Sequence, residues 1–195
     1  MEIVFSTTNK WFSRGIRYFT KKSWVKSARC SHTSIRYGEA ESNWMVQSNL
    51  LGFLPDWWPK FSTNSKIIKK FKIIGIDENE LERIVDEEVN KYAHTEYDFW
   101  SIPRFLIAIF YYKLTGKRLK NFLIRSSGLG CSEVVYRIFL KIEEVIKQKI
   151  FDDFDPETVF PEELLIQCEN KPQFFKDTTD GSVDVVGKTN ENVLI

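Results

Sequence analysis

A chain of 195 residues, 43% hydrophobic and 28% charged, fits a single domain that can bury a stable core without staples. Its 28 basic and 27 acidic residues leave a net charge of +1, which makes no global electrostatic case for nucleic acid or an anionic membrane as partner. Cys30, Cys131 and Cys168 cannot all pair with one another and form no CxxC, which argues against a disulfide framework or a zinc ribbon.

The opening residues, MEIVFSTTNKWFSRG, lack a basic stretch followed by an apolar one, so no signal peptide is expected. A cytoplasmic, reducing location follows, with release by a phage or lysis route left open. EIVFST (2–7) reads as a short strand, and residues 10–21 as an irregular helix with a weak apolar stripe. ARCSHTSIRYG (28–38) reads as a second strand, rich in β-formers and closed by Gly38. Two-residue alternation would set Cys30, His32 and Ser34 on one face and Thr33, Ile35 and Tyr37 on the other. His32 is one of only two histidines. It is either hydrogen-bonded in a half-buried strand or a catalytic base or metal ligand held on a rigid element.

A third strand is expected within residues 43–55 and a fourth at 66–76, with PDWWPKF (55–61) a Pro-bounded aromatic loop between them. Glu39 and Glu41 fall in a hairpin turn and read as solvated. A helix at 77–94 has a clear start, because Asp77 can cap it with Glu80 three residues on. Leu81, Ile84, Val85 and Val89 recur at helical spacing. His94, at its end, reads as a helix-end histidine rather than a catalytic one. A further helix is expected at 102–114, near Pro103. The most apolar window, 99–114, is interrupted by Arg104 and Lys113 and falls short of the ~20 residues a membrane span needs. Aromatic residues make up 15% of the chain. Phe53, Trp57, Trp58 and the segment 99–112 therefore either wall a cleft or fill a core.

A long helix within 128–149 opens at Cys131, and a short one within 155–168 carries Pro161 early. The tail 176–195 is partly disordered or returns as one more strand through SVDVV. The pattern is that of an α+β fold: a small antiparallel sheet with helices packed against it.

SSGLGCSEVVYRIF carries the most chemistry. Gly128 and Gly130 permit a tight turn, and Cys131 then falls at a helix N-terminus. There the unsatisfied N–H groups favour the thiolate and can donate to a developing oxyanion. Such a thiol needs a base, and His32 is available. Packing is the bland alternative for Cys131, and the preferred one for Cys30 and Cys168. A zinc site from Cys30, His32, Cys131 and Cys168 has legal ligand types but no predictive spacing.

The order of these segments resembles the circularly permuted NlpC/P60 group of papain-fold proteins, the YiiX-like and lecithin-retinol-acyltransferase-like branch, in which the histidine strand precedes the cysteine helix. The likeness covers residues 2–175. CSHTSIRYG is similar to the family's SHVGI strand, NWMVQSN to its VIEA segment and YAHTEYDFW to its YD segment. GCSEVVYRIF is similar to the CSELV helix, and DPETVFPEELL to the closing P-x-D/E-L element. The resemblance implies a papain-like domain over 1–175, with Cys131 as nucleophile, His32 as general base and Gln47 as the polar residue orienting the imidazole. Tyr97 and Asp98 read as loop anchors, with a supporting role in the site as the alternative that the resemblance adds. It also implies acyl transfer from an amide or ester through a thioester, on a peptide, peptidoglycan or lipid substrate, with no cofactor. Gln47 departs from the family's usual glutamate. A glutamine can still accept from the histidine, but it stabilises an imidazolium less, so His32 should titrate lower than a glutamate-held histidine. The alternative from another class is a catalytically inactive papain-fold binding or structural module.

Overall fold

The structure is a computed structural model that describes residues 1–37, 44–49, 52–93, 95, 101–119 and 130–179. Its strands are β1 (Glu2–Thr7), β2 (His32–Arg36), β3 (Trp44–Asn49), β4 (Gly52–Trp57), β5 (Lys66–Ile73) and β6 (Phe175–Asp177). Its helices are α1 (Trp11–Lys22), α2 (Trp58–Asn64), α3 (Glu78–Tyr92), α4 (Ser101–Thr115), α5 (Cys131–Ile146) and α6 (Pro161–Asn170).

The strands form one antiparallel sheet in the order β4-β3-β2-β1-β5-β6. β1 lies inside it because it is apolar on both faces, as a doubly covered strand must be. Ile3 and Phe5 join the larger core cluster, whereas Val4 joins a smaller one with Met45, Trp58 and Phe61. α5 supplies the larger cluster with Val134, Val135, Ile138, Phe139 and Ile142, a run at helical spacing that lies against β2 and β3. Phe139 is fully buried, with its ring 4.6 Å from that of Phe151. α3 covers the same face with Leu81, Ile84 and Val85, and Asp77 caps it by accepting from the Glu80 N–H at 3.1 Å. The α+β architecture read from the pattern is therefore present.

Four local expectations change. The region 43–55 holds two strands, β3 and β4, paired from Trp44↔Trp57 to Asn49↔Gly52. PDWWPKF is not a loop: Pro55 to Trp57 complete β4, and α2 begins at Trp58. Pro55 is tolerated because β4 is an edge strand, where a missing N–H costs no ladder bond. The last helix starts at Pro161, after a turn at 156–158. β6 spans the boundary drawn at residue 175 and pairs with β5 through Ile73↔Phe175 and Phe71↔Asp177. SVDVV lies outside the described residues, as do Gly38, Glu39, Glu41, His94, Tyr97, Asp98 and Gly128.

Candidate active site

β2 is placed from its N-terminal side by a carboxylate that comes from far along the chain. Glu162, in the first turn of α6, is fully buried. It accepts from the Arg29 N–H (2.7 Å), Arg29 Nε (2.7 Å), the Cys30 N–H (3.1 Å) and Ser27 Oγ (2.8 Å). Burial pushes this carboxyl up, but these donors outweigh it and hold the group below the ordinary carboxylate range. Beside this anchor, the hydroxyls of Thr7, Ser13 and Ser31 bond to one another and tie β1, α1 and the residue before His32 together.

The strand itself starts only at His32, so the two-residue alternation does not reach back to Cys30. Cys30 instead packs into the larger core cluster with Ile3 and Ile35. The His32 ring lies on the opposite side, 6.0 Å from that of Phe61 in the smaller cluster.

Three separate elements bring Cys131, His32 and Gln47 together. Cys131 is the first residue of α5, with Gly130 in extended conformation before it. Gly130 donates its N–H to the Glu133 carboxylate at 3.3 Å, closing the helix start. His32 opens β2, and its Nε2–H donates to Gln47 Oε1 on β3 at 2.8 Å. Gln47 is fixed in turn by β4, since its Nε2 donates to Asp56 Oδ2 at 2.6 Å. Asp56 is steadied by the Trp57 N–H, which donates to Oδ1 at 2.8 Å.

This chain settles the proton positions. A carboxylate only accepts, so the Gln47 amide nitrogen must face Asp56 and its oxygen must face His32. The ring then carries its proton on Nε2 toward Gln47, which leaves Nδ1 for the Cys131 thiol. Asp56 also gives a physical reason for glutamine at 47: a carboxylate there would meet another at hydrogen-bonding distance.

Burial pushes the Cys131 thiol up. The His32 charge and hydrogen bond, with N–H groups of Thr33 and Ser132 donating to the sulfur, reverse this and hold it below the ordinary thiol range. Burial pushes His32 down, whereas the charge and hydrogen bond of Cys131 and the hydrogen bond to Gln47 carry it above its ordinary value. The two groups are therefore disposed as a thiolate–imidazolium pair. His32 titrates high even without a glutamate, because the sulfur supplies the charge. Cys30 and Cys168 have no such partner, and burial pushes both thiols well above the ordinary range.

Cys131 stands between two cavities. One is a cleft of about 460 Å³ lined by His32, Gln47, Asn49 and the hydroxyls of Ser6, Thr8 and Ser13. The other is a small apolar slot of about 60 Å³ against Phe12, Ile16, Phe19, Val159 and Phe160. Phe53 and Trp58 belong to the core clusters instead, and neither Trp57 nor α4 lines these two cavities. Among the described residues, no group of three or more His, Cys, Asp or Glu side chains is placed to hold a metal ion.

The pattern missed Asp56 and Glu162. Asp56 fell in a stretch read as loop, and only its pairing opposite Met45 brings it near Gln47. Glu162 was visible only as part of PEELL. Comparison with family models, with curated proteins and with solved structures returns no match.

Proposed function

We propose that the protein is a cysteine hydrolase or acyltransferase that acts on an amide or ester through a thioester, on a papain-like, permuted NlpC/P60-type scaffold. One observation carries the reading: Cys131, at the start of α5, is hydrogen-bonded to an imidazole whose Nε2–H is held by Gln47 at 2.8 Å.

In this reaction the Cys131 thiolate adds to the substrate carbonyl, and the electron pair of the C=O moves to oxygen. Amides at the α5 N-terminus stabilise that oxyanion. Collapse breaks the bond to the leaving amine or alcohol, which takes the proton from His32 Nδ1. The acyl group is then on sulfur. A water or an acceptor hydroxyl enters, gives its proton to Nδ1 and releases the acyl product and the thiolate. No metal or organic cofactor is needed. The apolar slot beside Cys131 suits an acyl or side-chain group, and the hydroxyl-lined cleft suits a polar leaving group.

The test is electrophile labelling of each cysteine against pH, read by mass spectrometry, in the wild type and in His32→Ala. The reading requires Cys131 to label fastest, well below the free-thiol pKa of ~8.5, and to slow in the variant. If Cys131 reacts no faster than Cys30 and Cys168, the chain is a papain-fold binding module and not an enzyme.

A further inference from the structure

The net charge of +1 conceals a segregation. Residues 3–38 and 99–132 together hold 14 Lys and Arg and no Asp or Glu. All 27 acidic residues lie elsewhere, so the near-balance of the whole chain says nothing about this part of it. These two segments contain α1 and α4, which pack against each other. Just beyond α1, Trp24 sets its ring edge-on to Tyr112 of α4 at 5.7 Å, and Arg118 lies over Trp24 at 4.5 Å.

The outer face of α4 is apolar where a surface helix is ordinarily polar, and that of α1 sets two aromatic side chains among cations. On α1 the exposed residues are Trp11, Arg14, Tyr18, Lys21 and Lys22, with Trp11 81% and Tyr18 59% accessible. α4 buries Ala108 and Ile109 and turns Leu106, Ile107, Phe110, Tyr111 and Leu114 outward, with Phe110 64% and Leu114 70% accessible. Large apolar side chains exposed together on one face mark a docking surface. Exposed Lys10, Lys113 and Lys117 add to its positive charge. Among the described residues, no ion pair engages Lys10, Arg14, Lys21, Lys113 or Lys117. No helix among the described residues is long and apolar enough to cross a membrane.

We propose that the α1–α4 face docks on the surface of an anionic phospholipid bilayer. Interfacial indole, phenol and aliphatic side chains flanked by cations are the composition that inserts at the headgroup level of negatively charged lipid. Nucleic acid would use the same cations, but it has no use for solvent-facing Leu106, Ile107, Phe110 and Leu114, none of which can stack on a splayed base except Phe110. A protein partner would need an acidic surface to match the cations. The bilayer supplies both properties at once. α1 also links this face to the interior, since its other side carries Phe12, Ile16 and Phe19 into the slot beside Cys131. Docking does not depend on the catalytic reading.

The experiment is co-sedimentation of the full chain with phosphatidylcholine vesicles, with and without phosphatidylglycerol. Binding should need the anionic lipid and weaken with salt. Lys21→Gln with Lys22→Gln should reduce it on the order of 10-fold, and Phe110→Ser with Leu114→Ser should abolish it. All four positions are exposed, and circular dichroism checks that each variant folds. Equal binding to neutral vesicles overturns the proposal, as does no binding to either. If the chain instead retains duplex DNA or RNA, and the Phe110/Leu114 variant does so equally, the face belongs to nucleic acid. If the apolar pair mediates self-association while vesicles are ignored, the occupant is a second copy. Vesicle binding does not pass through Cys131, so its failure and the failure of thiol labelling are separate results.

Discussion

Asp56→Ala removes the acceptor that turns the Gln47 amide oxygen toward His32. A hydrogen bond to a charged group contributes about 1.5–3 kcal/mol. Asp56 is half-buried, and partial solvent screening lowers that contribution to about 1 kcal/mol. Without it the amide can rotate and present a nitrogen to the ring Nε2–H, so the imidazolium loses its partner and the thiolate loses part of its counter-charge. The expected result is a fall of about five-fold in Cys131 labelling on the rising part of the pH profile. The profile moves toward higher pH because the thiolate is the less favoured form. The plateau at high pH stays where it was, since the thiol itself remains accessible. Asp56→Asn, whose side-chain oxygen can still accept from Gln47, should recover most of the loss. An Asp56→Ala profile that overlays the wild type refutes the role given to Asp56. A lowered plateau would mean structural damage instead of misorientation.

Glu162→Ala leaves the N–H groups of Arg29 and Cys30 without their acceptor and should destabilise the fold by about 3 kcal/mol in urea unfolding. Because the Glu162 carboxyl is held below its ordinary range, its contribution is complete above the ordinary carboxylate value of ~4.3 and disappears as pH falls through the lower folded value. The wild-type urea midpoint should therefore drop on acidification below about pH 4 more steeply than that of the variant, and parallel curves would contradict this. Phe139→Ala opens a cavity between α5, Phe151 and β6, at a cost of about 3–5 kcal/mol, measured in the same way. Cys30 and Cys168 should label only when denaturant exposes them. Labelling of either in the native protein, at rates near that of Cys131, would mean that burial does not control these thiols.

Local signals sufficed for much of the fold. Helix α3 was legible because Asp77, Glu80 and the apolar spacing of Leu81, Ile84 and Val85 all lie within two turns. Cys131 at a helix start could be read in the same way, from two glycines and the amphipathic run after it. His32 and Gln47 were legible as types of residue on strands, and the order of motifs suggested their partnership. Errors arose where a residue's meaning depended on its neighbours in space. Pro55 and the tryptophans around it look like a loop until β4 is known to be an edge strand. Cys30 looks like a companion of His32 until the strand is seen to begin at His32.

The chain alone therefore determined most of the helices and strands, though not β4, α2 or β6, and where a thiol meets a helix start, because capping and periodicity act over a few residues. Tertiary structure alone decided that Cys131, His32, Gln47 and Asp56 form one hydrogen-bonded line, and that Glu162 holds the loop behind it. The two carboxylates differ in sequence separation, from 9 residues for Gln47–Asp56 to 132 for Cys30–Glu162. Neither pairing has a local signature, because strand register and helix packing create both of them.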